Sequence, residues 1–413
     1  MLASAAAFRS LKRAAEFGLS ADGIGFDFGK VIDRKNWVVS QITGPEMRRF
    51  FEIQGIDIIY GTASFKSTHE VDVNGRTISF NKAIIATGST PFVPPIEGLD
   101  EVGYITSEQA IDMRDLPESF IMVGGSAVGL EFSTVYESFD SQVTIVEAAG
   151  RIAPKEDPEI SEAIHNYMTS RGVNIYASSQ VKKAFKDNHA KALVIQTPDG
   201  KATLKANEIF IATGRRPLID NLNLEGIGVK TGKKGIEVNK YLQTSVDNIY
   251  AAGDVIPGFQ LAQAAAYEGD LAVKNALAGN SEEVSFRVIP RVTWSNPPIA
   301  SVGITEEEAR QNGFNYVAHK MPFAGLGRAL TSGDRLGFAK IIADVDSEEV
   351  LGIHIIGHHA DEILEEGVVA MQSRLKLADL AQTIHCVLTM SEGLGDAFID
   401  LKGLIESKKR KAA

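Results

Sequence analysis

The residues best suited to chemistry in this 413-residue sequence form a run of small side chains, Gly124-Gly125-Ser126-Ala127-Val128-Gly129. The run follows an apolar stretch typical of a strand, FIMV, and precedes a stretch typical of a helix, GLEFSTVYESF. In that context Gly124 permits a tight turn, Gly129 permits close helix–sheet packing, and the helix N-terminus offers N–H groups to a pyrophosphate. Ser126 replaces the middle glycine of the dinucleotide fingerprint, but it is small and its hydroxyl can donate to phosphate. The run predicts a dinucleotide site, with a plain glycine turn as the alternative.

An acidic residue stands where such a site needs one. Glu147 ends the next apolar stretch, QVTIVE, about 20 residues beyond Gly124. A carboxylate there accepts a hydrogen bond from the ribose 2′-hydroxyl and repels a 2′-phosphate, so NAD is expected and NADP is less favoured. Arg151 lies nearby and could weaken that preference. The alternative for Glu147 is a solvated glutamate at a strand end.

Three other strand ends carry small or acidic residues. Ala86-Thr87-Gly88 and Ala212-Thr213-Gly214 repeat one motif, which indicates two related nucleotide-binding modules. Gly253-Asp254 follow the apolar stretch IYAA and precede a helical stretch at 261–279. A short acid in that position can accept a hydrogen bond from a ribityl or ribose hydroxyl. An ordinary turn aspartate is the alternative.

The elements around these residues predict an α/β protein. Strand FIMV, its helix and strand QVTIVE form a βαβ unit, and VDVNGRTISF predicts a hairpin with a type I′ turn at Asn74-Gly75. From Ile289 onward several strands are followed by helices, which is typical of an α+β domain. The Ala- and Ser-rich start, residues 1–18, is typical of an amphipathic helix. A transit peptide is the alternative, disfavoured by Glu16 and Asp22.

Composition excludes several functions. The net charge is −11, which disfavours nucleic acid and anionic membranes as partners, and no apolar run approaches a membrane span. The basic residues Lys408 to Lys411 are expected to form a solvated tail. The single cysteine, Cys386, cannot form an internal disulfide, so we expect a cytoplasmic protein. His358-His359 with Asp361 and Glu362 provide no closed ligand set, so no metal site is expected.

The motifs also occur in an order and at a spacing that resemble the class I pyridine nucleotide–disulfide oxidoreductase family, which includes mercuric reductase, dihydrolipoyl dehydrogenase and glutathione reductase. The resemblance covers nearly the whole chain. The segments that carry it are IIATGSTP, GGSAVGLE, IATGRRP, TSVDNIYAAGD, EG at 268–269 and PRVTWSNPPIASVG.

The resemblance implies two Rossmann-like modules, one for FAD and one for NAD, plus a C-terminal α+β domain through which two copies form a homodimer. The implied divisions are 1–117 and 241–284 for FAD, 118–240 for NAD, and 285–413 for the interface. Asp254 would bind the FAD ribityl chain, and the helix from Ala262 would point at the flavin. Other implied cofactor positions are Arg215 and the two Ala-Thr-Gly loops, which include Gly214.

Two features of the family pattern are absent. The family opens with a GxGxxG turn for FAD and a Cys-x4-Cys redox pair, and this sequence contains neither. We therefore expect an N-terminally truncated member that purifies with little or no flavin. A non-catalytic remnant that binds NAD and dimerises is the alternative to an enzyme.

The second departure lies near the C-terminus. The family often has a His as acid/base, with a Glu five residues later that orients it. Here Glu392 is present, but Val387 occupies the histidine position and cannot transfer a proton. His385 and Cys386 are close by, each with packing as the alternative to chemistry. The resemblance marks Glu392 and Glu131 as catalytic positions, and the run LTMSEGL favours a mercuric-reductase-like acceptor, a soft metal ion, over a disulfide such as lipoamide.

Overall fold

The computed structural model describes residues 1–412. The α-helices, in chain order, are α1 (Leu2–Lys12), α2 (Phe28–Thr43), α3 (Pro45–Ile53), α4 (Leu99–Val102), α5 (Ser107–Ala110), α6 (Ala127–Ser138), α7 (Pro158–Ser170), α8 (Ala262–Ala278), α9 (Glu306–Gln311), α10 (Gly327–Ser332), α11 (Ala360–Gln372), α12 (Leu377–Leu380) and α13 (Glu392–Ala412). None of the helices within residues 1–412 is long and apolar enough to cross a membrane.

The strands, in chain order, are β1 (Ala63–Ser67), β2 (Glu70–Val73), β3 (Arg76–Ser79), β4 (Ala83–Ile85), β5 (Ser89–Pro91), β6 (Ser119–Val123), β7 (Gln142–Val146), β8 (Asn174–Tyr176), β9 (Gln180–Asp187), β10 (Ala190–Thr197), β11 (Gly200–Ala206), β12 (Glu208–Ile211), β13 (Arg215–Pro217), β14 (Thr231–Gly232), β15 (Gly235–Ile236), β16 (Ile249–Ala251), β17 (Arg291–Thr293), β18 (Ile299–Gly303), β19 (Tyr316–Pro322), β20 (Gly337–Asp344) and β21 (Val350–Gly357). They belong to two compact units. The first unit contains residues 1–32, 93–213 and those from 287 onward, and the second contains residues 33–92 and 214–286.

A four-stranded parallel sheet in the order β12-β6-β7-β8 forms the centre of the first unit. Strand β6 is buried on both faces because alternate side chains enter two different cores. Phe120 and Met122 pack with residues of α1, α6 and α7, whereas Ile121 and Val123 pack with the antiparallel sheet β11-β10-β9. The predicted βαβ unit is confirmed, since β6 and β7 run parallel with α6 between them.

The last part of the first unit contains a five-stranded antiparallel sheet in the order β17-β18-β21-β20-β19. Residues of α11 and α13 form a core with one face of this sheet. The expected α+β domain is confirmed, and Lys408 to Lys411 are exposed, as predicted for a solvated tail. These residues extend α13, where Lys408 donates to the carbonyl of Tyr316 at 2.9 Å and Lys409 pairs with Glu348.

The second unit contains the parallel pair β16-β4, helix α8, the meander β1-β2-β3 and the antiparallel pair β13-β5. Asn74 and Gly75 have φ values of 51° and 86°, as the predicted hairpin turn between β2 and β3 requires. Helix α8 ends where expected, at Gly279, which adopts a left-handed conformation with φ 84°.

Candidate nucleotide-binding and catalytic site

The turn between β6 and α6 has no room for side chains at its glycines. A Cβ on Gly124, where φ is 111°, would lie 2.3 Å from the carbonyl oxygen of Ala212. A Cβ on Gly129 would lie 2.0 Å from the carbonyl oxygen of Gly124, and one on Gly125 would lie 2.7 Å from the side chain of Ile152. The glycine identities therefore follow from close backbone packing, and α6 begins immediately after the turn.

Three other predicted residues lie at this turn. Ser126 is the N-cap of α6, and its side chain makes no capping hydrogen bond. Val128 is half-buried against the core, and the Ala212 N–H donates to the carbonyl of Val123 at 2.8 Å. The first turn of α6 thus presents backbone N–H groups that its N-cap side chain leaves unoccupied, as an anion-binding helix start requires.

The folded chain brings Glu147 to the glycine turn. Its Oε2 accepts the Gly125 N–H at 2.7 Å, and its Oε1 accepts the Ala149 N–H at 2.7 Å. The residue is only 9% exposed. An ionised carboxylate offers about four lone-pair positions, so these two bonds leave acceptor capacity for a ribose hydroxyl. The alternative of a solvated strand-end glutamate does not fit this burial.

Glu131 and Glu392, the two predicted catalytic carboxylates, lie on different helices. Glu131 lies on α6, where its Oε1 accepts the backbone N–H of Trp294 at 3.0 Å. Burial raises the pKa of Glu131, against the opposing effect of that hydrogen bond. Glu392 begins α13, and its Oε2 accepts the N–H of Thr389 at 3.1 Å. Each carboxylate is thus oriented by a different backbone amide.

In the second unit Asp254 belongs to a polar cluster built by the β13-β5 pair. Ser89 Oγ donates to Asp254 Oδ2 at 2.6 Å, and Arg215 Nε donates to Ser89 Oγ at 2.6 Å. Arg215 also donates to the Ser89 carbonyl at 2.7 Å, and its Nε lies 3.9 Å from Asp254 Oδ2. Sequence reasoning missed Ser89. The signal was available, since Ser89 follows the first Ala-Thr-Gly repeat just as Arg215 follows the second.

The loop Ala86-Thr87-Gly88 is fixed by the same pairing. Thr87 Oγ1 donates to the carbonyl of Leu218 at 2.7 Å, and the Leu218 N–H donates to the carbonyl of Gly88 at 2.8 Å. The carbonyl of Gly214 accepts the N–H of Phe92 at 2.9 Å. Ala86 and Thr87 remain exposed, as does Ala262 at the start of α8.

A buried carboxylate from the EG segment at 268–269 supports the Gly253-Asp254 turn. Glu268 on α8 is 0% exposed, and its Oε2 accepts the Gly253 N–H at 2.6 Å. Gly253 has φ 78°, a conformation that glycine adopts without strain. The other oxygen, Oε1, is buried without a hydrogen-bond partner within residues 1–412. Burial raises the pKa of Glu268, and the nearby Asp254 raises it further.

We expect Glu268→Gln to be stabilised relative to the wild type as the pH rises. Because the folded state holds the proton more tightly than the unfolded state, the stability that Glu268 contributes is present below its ordinary pKa of 4.5 and is lost as the pH rises through the raised value. In that window the free energy of unfolding of the wild type falls relative to the variant by up to about 1.4 kcal/mol per pH unit. Urea denaturation between pH 4.5 and 8 measures this difference, with the exposed Glu283→Gln as control. A difference that does not change with pH would contradict it.

The contacts of His385, in the segment before α13, bear on whether this residue packs or takes part in chemistry. Its Nε2 lies 3.0 Å from Glu366 Oε1, and its Nδ1 lies 3.2 Å from the carbonyl of Thr383. The ring packs so closely that a Cβ on Gly395 would lie 2.5 Å from Nδ1. His385 is therefore held in place by protein groups, which favours packing. Val387, by contrast, is 78% exposed, and Cys386 is exposed.

Both units have features that fit a dinucleotide. In the first, a turn without room for a Cβ at its glycines leads into a helix start, with a buried carboxylate beside it. In the second, Asp254 is oriented by a hydroxyl and a guanidinium next to a glycine turn. These are the donor and acceptor types that bind pyrophosphate and sugar hydroxyls.

Comparison with known proteins agrees with this geometry. The family described as "Pyridine nucleotide-disulphide oxidoreductase" matches residues 7–269, and its dimerisation domain matches residues 289–398. Mercuric reductase of Staphylococcus aureus is 34% identical over 378 residues, which are 91% of this chain and 69% of that protein. Dihydrolipoyl dehydrogenase of Bacillus subtilis is 33% identical over 418 residues, which are 98% of this chain and 88% of that protein.

Among solved structures, the Cu(II) complex of the HOCl-induced flavoprotein disulfide reductase RclA from Escherichia coli superimposes with a TM-score of 0.84. It is 28% identical, and the match covers 95% of this chain and 88% of that chain. The predicted fold class and the predicted family are confirmed by these matches. The chain belongs to the pyridine nucleotide–disulphide oxidoreductases, a family of enzymes that use FAD and a pyridine nucleotide.

Proposed function

We propose that this protein is an NADH-dependent flavoprotein oxidoreductase that works as a homodimer in the cytoplasm. The observation that carries the choice of nucleotide is the buried Glu147 carboxylate, held by the N–H of Gly125 in the glycine turn and by the N–H of Ala149. We assign residues 118–240 to NAD, 1–117 and 241–284 to FAD, and 285–413 to the dimer interface. The match of residues 289–398 to a dimerisation domain supports the last assignment.

Each binding group has a defined task in this proposal. The N–H groups at the start of α6 hold the pyrophosphate of NADH, and Glu147 accepts the 2′-hydroxyl of its ribose. Asp254, oriented by Ser89, accepts a ribityl hydroxyl of FAD. A bound flavin supplies two-electron transfer between NADH and the acceptor, while the protein sets the positions of the two cofactors.

We predict that NADH binds at least tenfold more tightly than NADPH. A 2′-phosphate would place negative charge against a buried carboxylate, and a tenfold difference requires only about 1.4 kcal/mol. Titrating both nucleotides by protein fluorescence measures the ratio. Glu147→Gln keeps one side-chain oxygen that can accept a backbone N–H but removes the charge. The ratio of the two affinities should therefore fall towards one. Glu162→Gln, which changes an exposed glutamate on α7, is the control. Equal affinities in the wild type, or a preference for NADPH, would contradict the prediction.

For the electron acceptor we propose a soft metal ion such as Hg²⁺, with a disulfide such as lipoamide as the second candidate. The first is supported by Val387, since oxidation of a dithiol needs a base to accept thiol protons, and an isopropyl group cannot do this. The second is supported by the dihydrolipoyl dehydrogenase relative, which is as similar as the mercuric reductase. NADH-dependent flavin reduction, followed optically in a chain joined to a segment that carries the family's GxGxxG turn, separates either enzyme from a non-catalytic remnant.

A further inference from the structure

A row of polar residues crosses the C-terminal sheet from one edge strand to the other. The register places its members directly opposite one another on β17, β18, β21, β20 and β19. These residues, called here the polar row, are Arg291, Ser301, His354, Lys340 and Lys320. Cross-strand neighbours share a sheet face. Ile299, Ile356 and Phe338, which lie two positions from row members, contribute to the core that contains α6 and α7. The polar row therefore faces the parallel-sheet module of the first unit.

Acidic residues at the start of α7 meet the polar row. Arg291 Nε donates to Glu156 Oε1 at 3.0 Å, and Arg291 Nη2 donates to Glu156 Oε2 at 3.3 Å. Ser301 Oγ also donates to Glu156 Oε2, at 2.6 Å. Lys340 Nζ lies 3.0 Å from Asp157 Oδ1 and 2.8 Å from Glu159 Oε2.

Lys340, Lys320 and His354 of the polar row have further partners. Lys340 Nζ lies 2.7 Å from Glu306 Oε2, and Lys320 pairs with Glu159. His354 is fully buried, with Nε2 at 3.0 Å from the carbonyl of Ile304, and its pKa is lowered by burial, so it adds no positive charge at neutral pH.

The contacts of Asp157, Ser301 and Lys340 are buried. Asp157 and Ser301 are 0% exposed, and Lys340 is 4% exposed. Ion pairs of this kind are poor sources of stability, because desolvation cancels much of the attraction and apolar residues would serve as well. They do impose geometry, since a bidentate guanidinium–carboxylate pair fixes both distance and direction. A role in holding a segment in one position explains the arrangement better than a role in stability.

The segment held by the polar row also contacts the glycine turn. Residues 148–157 connect the strand end at Glu147 to α7. Within them the Ala153 N–H donates to the carbonyl of Gly125 at 2.8 Å, and Ser161 Oγ on α7 donates to the Ala153 carbonyl at 2.9 Å. Ala153 has φ 46°, a conformation that a residue with a Cβ adopts only when its surroundings hold it there.

We infer that Glu156 and Asp157 are positioning residues for nucleotide binding. Their partners Arg291, Ser301 and Lys340 hold them in place. The two acids thereby fix residues 148–157 against the glycine turn and set the affinity for NADH. The inference rests on the proposed function, since it assumes that NADH binds at this turn. The C-terminal sheet then influences the affinity for NADH through residues 148–157, without contacting the nucleotide.

The test compares neighbouring substitutions on β18. Ser301→Ala removes one hydrogen bond to Glu156, whereas Val302→Ala removes apolar volume from the core on the opposite face of the sheet. We expect Ser301→Ala to raise the Kd for NADH about threefold to tenfold. Val302→Ala should change it less than twofold while lowering the Tm at least as much, since it leaves a cavity. Titration calorimetry well below both Tm values gives the affinities.

A second pair of variants tests the ion pair. Arg291→Met should raise the Kd for NADH at least tenfold, and Arg291→Lys, which keeps the charge but cannot form the bidentate pair, should recover only part of the loss. If Arg291→Met does not fold, the comparison of Ser301→Ala with Val302→Ala decides. Unchanged NADH affinity in the folded variants would overturn the inference but not the proposed function. So would an equal loss of NADH affinity in Val302→Ala. A wild-type protein that does not bind NADH would overturn the proposed function and the inference together.

Discussion

Gly124→Ala is expected to raise the Kd for NADH at least 100-fold and to lower the free energy of unfolding by about 3 kcal/mol. The added Cβ would lie 2.3 Å from the carbonyl oxygen of Ala212, which is backbone at the end of β12 and cannot rotate away. At φ 111° an alanine is also strained, whatever space surrounds it. Relief requires the turn to open, and the turn carries the N–H groups to which we assign the pyrophosphate. The loss of affinity should therefore exceed what reduced stability alone would produce.

The matched control is Gly172→Ala in the same module. Gly172 has φ 88°, but a Cβ there would meet nothing within 4 Å. This variant suffers backbone strain without a clash, and it should cost about 1 kcal/mol and leave the NADH affinity unchanged. Calorimetric titration and urea denaturation of the two variants separate strain from steric conflict. Binding of NADH by Gly124→Ala within twofold of the wild type would show that the turn does not hold the nucleotide.

The glycine turn could be predicted because its signal is local. A strand, a turn of small residues and a helix follow one another within about 20 residues, and each step is set by backbone rules that act over that range. The position of Glu147 follows from the same unit. The hairpin at Asn74-Gly75 and the end of α8 at Gly279 were predictable for the same reason, since each depends on one residue with positive φ.

The polar row could not be predicted in this way. Arg291 and Glu156 are 135 positions apart, and Lys340 and Asp157 are 183 apart. Only the register of a five-stranded sheet brings these residues into one line, and no local periodicity encodes that register. Ser89 and Asp254, separated by 165 positions, meet for a similar reason, because the strands that precede them, β4 and β16, pair in parallel.

The exposure of Lys408 to Lys411 was predictable, but their helical conformation and their partners were not. A run of positive charge without apolar residues predicts a solvated tail when it is considered alone. In the folded chain the basic residues extend α13, and cations near a helix C-terminus interact favourably with its dipole. Lys409 also gains a partner in Glu348, which lies in the turn between β20 and β21. The local charge pattern therefore predicts the exposure of this run, whereas its partners depend on tertiary contacts.

The choice of electron acceptor gives the other large expected effect. Val387→His should raise NADH-dependent lipoamide reduction by about 10²–10⁴-fold, the usual contribution of a positioned acid/base. The assay requires a chain joined to a segment that carries the family's Cys-x4-Cys pair, because this sequence has a single cysteine. Val387 is 78% exposed, so the substitution should change the free energy of unfolding by less than about 0.5 kcal/mol.

The same joined chain should reduce Hg²⁺ with NADH whether residue 387 is valine or histidine, because reduction of a metal ion held between thiolates does not need that base as directly. Cys386→Ala tests whether the neighbouring exposed thiol takes part in metal reduction, and Glu392→Gln tests whether the gain at 387 depends on an orienting carboxylate. Two results would reverse the preference for a soft metal ion. One is ordinary lipoamide turnover with valine in place. The other is the absence of Hg²⁺ reduction in both forms, which would leave a disulfide as the acceptor that this site serves.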